Sequence, residues 1–378
     1  MRGPLVLLIL AMAPGVMLAQ SSQFGVRGLG FPGRGLATRA IGSGGAFGLF
    51  DHESSINPAA VGGVANFTSV FTISQGFRSV ENPAGTASTR DTRFPHLMIV
   101  GPVRQSGAAL GLSYSSYMNR DFSLISSTTI DLRGVPVVVT DSFSSRGGLS
   151  DLRLAGAYRL QDRWTFGAGF HVITGSNRLE SRRSFEDPGF LPSRQRAEVS
   201  YAGVGISGGV IRQLGPRFAV AALVRSDGHL NVDRDSARVA TVDLPYTFGL
   251  GIRWLPAPYL DFAAQTLVRT WSGANSDVLQ QGGVGAENTF EVAAGAEYTP
   301  DLKRPYLYPI RFGGRYALIP FPLVPGSQGH EYGVSIGSGM RFAQQRGGID
   351  LALEHVWRSE GVYSERGFIL TLGISVRP

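Results

Sequence analysis

The sequence predicts an all-β protein, a transmembrane antiparallel β-barrel of about fourteen strands. Three observations carry this: a period-two hydropathy pattern through most of the chain, scarce charge beside abundant glycine, and an export leader. Of 378 residues, 43% are hydrophobic and 17% charged, against roughly 25% charged in soluble domains. The 51 glycines are near double the usual ~7%. So few charges cover a water-facing surface poorly. There is no cysteine, which excludes disulfides, thiolate metal sites and cysteine nucleophiles. The net charge of +7 comes from basic residues scattered singly through apolar segments, not clustered as for a nucleic acid, and none is expected as partner. His52, His96, His171, His229, His330 and His355 show no metal-ligand spacing, so neither a metal nor another cofactor is expected.

Residues 1–19 read as a secretory signal: Arg2 is the charged start, Leu5 to Ala13 the apolar core and Ala19 the small residue at the cut. No later stretch approaches the ~20 apolar residues a membrane helix needs, so any spanning must be done by strands. The expected division is signal 1–19, an N-terminal segment 20–64 and a barrel 65–378, in the outer membrane of a Gram-negative cell.

The strands alternate in chain order. Leu152, Leu154, Tyr158 and Leu160 oppose Arg153, Ala155, Ala157 and Arg159. After a turn at Gln161, Trp164, Phe166, Phe170 and Val172 oppose Thr165, Gly167, Gly169 and His171. Phe218 to Val224, Tyr246 to Trp254 and Phe368 to Val376 repeat the pattern. The face opposite the bulky residues is small and glycine-rich, while large aromatics (Trp164, Tyr246, Trp254, Tyr298, Trp357) fall near strand ends. Lipid outside, a mixed lumen and aromatic girdles account for both, and lipid tolerates no open sheet edge, so the sheet must close.

Short turns are expected near 104–106, 161–162, 213–216, 255–258, 300–306 and 343–347. Long segments are expected near 78–92, 119–148, 175–196, 226–244, 271–288, 318–330 and 359–364. With both barrel ends on the short-turn side, these thirteen connections make fourteen strands. Phe122 to Asp131 and Val135 to Phe143 also look like strands. Val135-Pro136-Val137-Val138-Val139 lacks alternation and carries a proline, so the pair is read as an outer hairpin. Counting it in the wall instead gives sixteen.

Gln20 to Val64 does not alternate; it is either a periplasmic tail or an insert in the lumen. Its run Arg39 to Phe47, containing Gly44-Gly45-Ala46-Phe47, followed by Asp51 to Ala60 with Asn57-Pro58-Ala59, resembles the N-terminal signature of FadL-type outer-membrane transporters of long-chain fatty acids and other hydrophobic compounds. Asp243 to Trp254, Val268 to Ser272, Glu297-Tyr298 and Arg311 to Tyr316 resemble strands of that family. The resemblance implies a lumen plugged by an N-terminal hatch, with Gly44, Gly45, Asn57, Pro58 and Ala59 in it, and sideways release of a hydrophobic substrate. The signature is also similar to that of PorV-like barrels of a protein secretion system. The chain departs from common barrels in ending Val376-Arg377-Pro378.

Inward positions Asp151, Arg153, Arg159, Arg225, Arg253, Asp261, Arg269, Arg311, Arg315, Arg341, Asp350 and Glu354 form a candidate charge ladder, read first as salt bridges holding wall and hatch together. Gly205-Ile206-Ser207-Gly208-Gly209 and Gly333-Val334-Ser335-Ile336-Gly337 satisfy G-x-S-x-G, but each lies within an alternating strand instead of a strand-to-helix elbow. No enzyme is expected. Arg178, Arg182, Arg183, Arg194 and Arg196 in an outer loop suggest pairing with lipopolysaccharide phosphates. The functional expectation is a hydrophobic-compound transporter in contact with outer-membrane lipid; a secretion-system component and a general porin are the alternatives.

Overall fold

The computed structural model describes residues 22–378 except 105, 133 and 162, so the leader expected at 1–19 lies outside the described residues. Fourteen strands form the wall: β1 (Thr68–Asn82), β2 (Gly85–Pro102), β3 (Ala108–Asn119), β4 (Val135–Leu160), β5 (Trp164–Phe185), β6 (Ser193–Gln213), β7 (Phe218–Ser226), β8 (Tyr246–Ala257), β9 (Leu260–Arg269), β10 (Thr289–Tyr298), β11 (Leu307–Leu318), β12 (His330–Phe342), β13 (Gly347–Glu360) and β14 (Tyr363–Val376). Each pairs antiparallel with the next. The ring closes where β14 pairs with β1, from Ser364 opposite Glu81 to Val376 opposite Ser69. No edge is left for lipid to meet.

The outward rows are apolar and exposed, as in Leu154 (56%), Leu250 (62%) and Ile252 (60%), while their neighbours Ala155, Gly251 and Arg153 are buried. Rings collect at two levels. Trp254 stacks between Phe218 and Phe262 at the short-turn end, and Trp357, Tyr332 and Tyr316 stand opposite one another across β13, β12 and β11 at the other.

Six short turns fall where the sequence places them. The hairpin read from Phe122 and Val135 is present as an outer extension: Phe122–Leu132 pairs with Val135–Ser145, the latter being the start of β4 itself. Fourteen strands therefore form the ring. A second outer hairpin, His229–Arg234 with Ala237–Asp243, joins β7 to β8.

Two expected long loops are corrected. The segments 78–92 and 175–196 are mostly strand: β1 runs to Asn82 and β2 starts at Gly85, while β5 reaches Phe185 and β6 starts at Ser193. A transmembrane strand needs only ~9–11 residues, so β4, β5 and β6, of 26, 22 and 21 residues, stand well clear of the membrane. The polar residues there pair across the hairpin, as Arg183 does with Asp141, and satisfy the backbone in water as a loop would not.

Candidate functional site: the lumen and the segment within it

Residues 22–67 touch inward-facing residues on many strands. Ser22 and Gln23 start at the long-loop end, where Ser22 Oγ and the Gln23 N–H donate to Glu365. The chain then crosses the lumen, with Phe31–Pro32 beside β3 and α1 (Thr38–Gly42) against β11 to β14. It ends as a 3₁₀ turn, Pro58–Gly63, against β4, β5 and β6 before entering β1.

The predicted hatch residues lie at two of its bends. Asn57 is fully buried; its Oδ1 accepts from the Ala59 N–H at 3.0 Å and its Nδ2 donates to the Leu49 carbonyl at 2.9 Å. Pro58, at the first position of the turn, lacks only an N–H that would be free there anyway. Gly44 and Gly45 have φ of +72° and +96°, and Gly44 lies against the Gly313–Gly314 backbone.

The glycine-rich inner face now has a physical reason. A Cβ on Gly313 would overlap the Ser43 carbonyl, and one on Gly209 would overlap Asn57 Oδ1. The wall is bare where the segment's backbone lies on it. Gly313→Ala is expected to cost about 1–3 kcal/mol of stability through this overlap, read as a lower urea midpoint in detergent. Outward Gly208→Ala, whose nearest neighbour is Val224 Cγ1 at 3.8 Å, should leave the midpoint unchanged; equal shifts would refute the close-packing account.

The charge ladder resolves into pairs. Within the wall, Arg253 meets Asp261 at 2.6 Å, Arg269 meets Glu291 at 3.5 Å, Arg311 meets Glu297 at 2.6 Å and Asp350 at 2.7 Å, and Arg341 meets Asp350 at 2.7 Å. Arg315 pairs with Glu331, which Arg358 shares, and Arg358 goes on to Glu365. Other members hold the segment: Arg34 donates to both oxygens of Glu354 at 2.7 and 2.6 Å, Arg159 to the Gly62 carbonyl at 2.6 Å and Arg153 to the Ser54 carbonyl at 3.5 Å. Glu53 lies 3.6 Å from Arg341 and 3.3 Å from Arg377. Inside the segment, burial disfavours the Asp51 carboxylate, but Arg39 and His52 beside it, with hydrogen bonds from the Ser54 hydroxyl and the Glu53 N–H, together outweigh this and hold the carboxyl below its ordinary value. His171 sits between Asp151 and Ser207.

Sequence reading missed Arg34, Arg78, Asp91, Glu291, Glu297, Glu331, Arg358 and Glu365 as members. For Glu291, Glu297, Glu331, Arg358 and Glu365 the signal was available, since they occupy inward phases of alternating strands, whereas Arg78 and Asp91 fall in the stretch 78–92 that reads as loop; the choice of partner depends on register, which single strands do not show.

One stretch of wall is unlike the rest. β2 and β3 pair only from His96 opposite Ser115 to Pro102 opposite Ala109, although β2 begins at Gly85 and β3 runs to Asn119. Pro95, next to the last pair, has no N–H to give. Beyond it β3 takes luminal partners, Phe31 opposite Asn119 and Pro32 opposite Met118. A cavity of about 150 Å³ reaches this seam, lined there by Arg93, Pro95, Ser116, Phe31 and Pro32. Its other walls mix Leu36, Ile41, Trp271 and Ile319 with Arg34, Arg78, Arg269, Arg315 and Arg358 against Glu291, Glu331 and Glu354.

The BamG family model matches residues 3–215, more than half of the sequence. The chain belongs to the BamG family. No curated protein matches it. Among solved structures, a Pseudomonas aeruginosa FadL homologue superposes with a TM-score of 0.65 at 14% identity, covering 92% of this BamG-family chain and 99% of that one. The Ralstonia pickettii toluene transporter TbuX gives 0.59 at 14%, over 91% and 98%, and the Pseudomonas putida toluene transporter TodX 0.59 at 14%, over 92% and 99%. At these identities what is shared is the fold, a FadL-like β-barrel.

Proposed function

We propose that this protein carries hydrophobic small molecules, with long-chain fatty acids as the substrate class, inward across the outer membrane and releases them sideways through the seam between β2 and β3. The observation that carries this reading is the cavity reaching that seam. The apolar residues of its walls suit a hydrocarbon chain, and the six arginines of the lining face its three glutamates with Asp91 and Glu365 paired behind them, a surplus of one positive charge for a carboxylate. The structural neighbours named as toluene transporters support a hydrophobic cargo. The luminal segment serves as the hatch that keeps water and ions from following, and the protein's work is passage.

The test bridges the seam. The chain has no cysteine, so Pro95→Cys with Ser116→Cys, joined by a short bis-maleimide, addresses one place only. Uptake of a labelled long-chain fatty acid into proteoliposomes should fall to the protein-free baseline on bridging and persist in the unbridged double variant. Undiminished uptake after bridging would overturn sideways release. No uptake by the wild type, with copurification of secretion components, would favour the secretion reading instead.

Lipopolysaccharide is the proposed lipid partner, at the expected loop, where exposed Arg178 and Arg182 have no carboxylate partner among the described residues, and at a second place. Arg183 is held by Asp141, and Arg194 and Arg196 by Glu180. Outward-facing Arg90 lies over the Phe77 ring at 5.3 Å, Arg366 faces out beside it on β14, and neither has a carboxylate partner among the described residues. Two free guanidinium groups in an aromatic girdle suit lipid phosphates.

A further inference from the structure

Asp151, His171 and Ser207 lie on three consecutive strands, β4, β5 and β6, with their side chains in the lumen. Arg153 stands opposite His171, and His171 opposite Gly205. Asp151 and Ser207 are therefore each the diagonal neighbour of the histidine, within reach for side chains that lean along their strands. His171 Nδ1 lies 2.9 and 3.0 Å from the two Asp151 oxygens, and its Nε2 lies 2.9 Å from Ser207 Oγ. A carboxylate only accepts, so Nδ1 carries the proton and Nε2 accepts from the serine hydroxyl. We propose that these three residues form an acyl-transfer site in the barrel wall, with Ser207 as nucleophile, His171 as general base and Asp151 fixing its tautomer.

Two further observations separate this from a buried polar bridge. The position that a Cβ on Gly169 would take is 2.6 Å from Ser207 Oγ, 3.4 Å from His171 Nε2 and 3.6 Å from Arg153 Cδ; a side chain there would collide with the nucleophile, so the glycine is what lets Ser207, His171 and the Arg153 stem meet against this strand. Arg153 is 1% exposed, and its Nη1 is buried without a hydrogen-bond partner. Such a group is costly as mere structure; the head is held by Ser113 Oγ at Nε and the Ser54 carbonyl at Nη2, and a swing of the free Nη1 toward Ser207 would supply the donor an oxyanion there needs. The glycines of the G-x-S-x-G run have other work, since Gly209 makes room for Asn57 and Gly205 for Asp227. The side-chain geometry carries the inference, and the motif does not.

Access sets the substrate class. Asp151 also lines a neighbouring cavity of about 70 Å³, shared with Arg225 and with Ser55 and Ile56 of the luminal segment. Ser207 is 6% exposed. A site so confined under the segment suits small carboxylic esters. In the reaction the Ser207 oxygen bonds to the ester carbonyl carbon while its proton passes to His171 Nε2. The tetrahedral intermediate then expels the alcohol, which takes that proton. Water attacks the acyl-serine by the same route, releasing the acid and restoring the serine.

The test uses the folded full chain in detergent, with a small fluorophosphonate as probe and p-nitrophenyl acetate as substrate. Mass spectrometry should place one adduct on Ser207, with labelling rising with pH as His171 loses its proton. Ser207→Ala should remove both adduct and esterase activity. Asp151→Asn should slow labelling by at least about a hundredfold, since the carboxylate fixes the tautomer, with the barrel still shifting on heating in gels. Absence of a Ser207 adduct in the folded wild type, or equal labelling of the Asp151→Asn protein, would overturn the proposal. Wild-type labelling decides the matter even if a variant misfolds, and neither arm depends on fatty-acid uptake.

Discussion

Removing residues 22–64 is expected to turn the barrel into an open pore, with ion conductance across a planar bilayer rising by about tenfold or more over the intact protein, toward that of water-filled porins. The wall does not need the segment to close, because its ladder runs strand to strand around the ring through the β14–β1 pairing. What the segment supplies is mass in the lumen. Leu49 packs with Ala59, Ala60, Leu223 and Leu267, Val61 packs with Met98, Val100 and Ala155, and backbone lies flat on Gly313. Without it, the small inward residues border water. Arg159 loses the Gly62 carbonyl and Glu354 loses Arg34, but both then meet solvent, so the cost to stability is smaller than the change in conductance. A deleted barrel that is folded, shown by its heat-dependent gel shift, yet insulates as well as the parent would refute the role of the segment as a hatch.

The wall is legible in the sequence because lipid imposes a strong rule on every second residue. Phe248, Leu250 and Ile252 must be large and apolar, and Gly249 and Gly251 between them then stand out as the other face. The short turns were legible for a related reason, since strands must reverse where alternation stops. The length of the outer hairpins was not. Above the headgroups both faces of β5 meet water, so Arg178, Glu180 and Arg182 carry no contrast and read as loop. The seam was also hidden. Pro95 is visible in sequence, but its consequence depends on β3 finding a luminal partner in Phe31–Pro32, a contact between segments some ninety residues apart. The cluster at His171 illustrates the same limit. Ser207 and His171 were each noticed singly, and only the register of β4, β5 and β6 joins them to Asp151.

Register likewise builds a doubly paired carboxylate in the lumen, Glu331. It is 3% exposed, and its two oxygens accept from Arg315 and Arg358, both of which are buried as well. Arg358 continues to Glu365 and covers the Phe31 ring of the luminal segment at 4.2 Å. Deleting the shared carboxylate leaves Arg315 with only Glu354, 3.8 Å away, and takes from Arg358 one of its two anions. An uncompensated buried charge costs about 3–5 kcal/mol, so Glu331→Ala should lower the unfolding free energy in urea by that amount, followed by tryptophan fluorescence in detergent. Glu331→Gln keeps the volume and one acceptor and should lose less. Asp141→Ala is the contrasting case: its partner Arg183 donates to both its oxygens, but the two side chains are 51% and 44% exposed, and such a pair contributes about 0–1 kcal/mol. If the two alanine variants lose equal stability, the lumen is wet enough to screen its ions, and the salt bridges cannot be what fastens wall to segment.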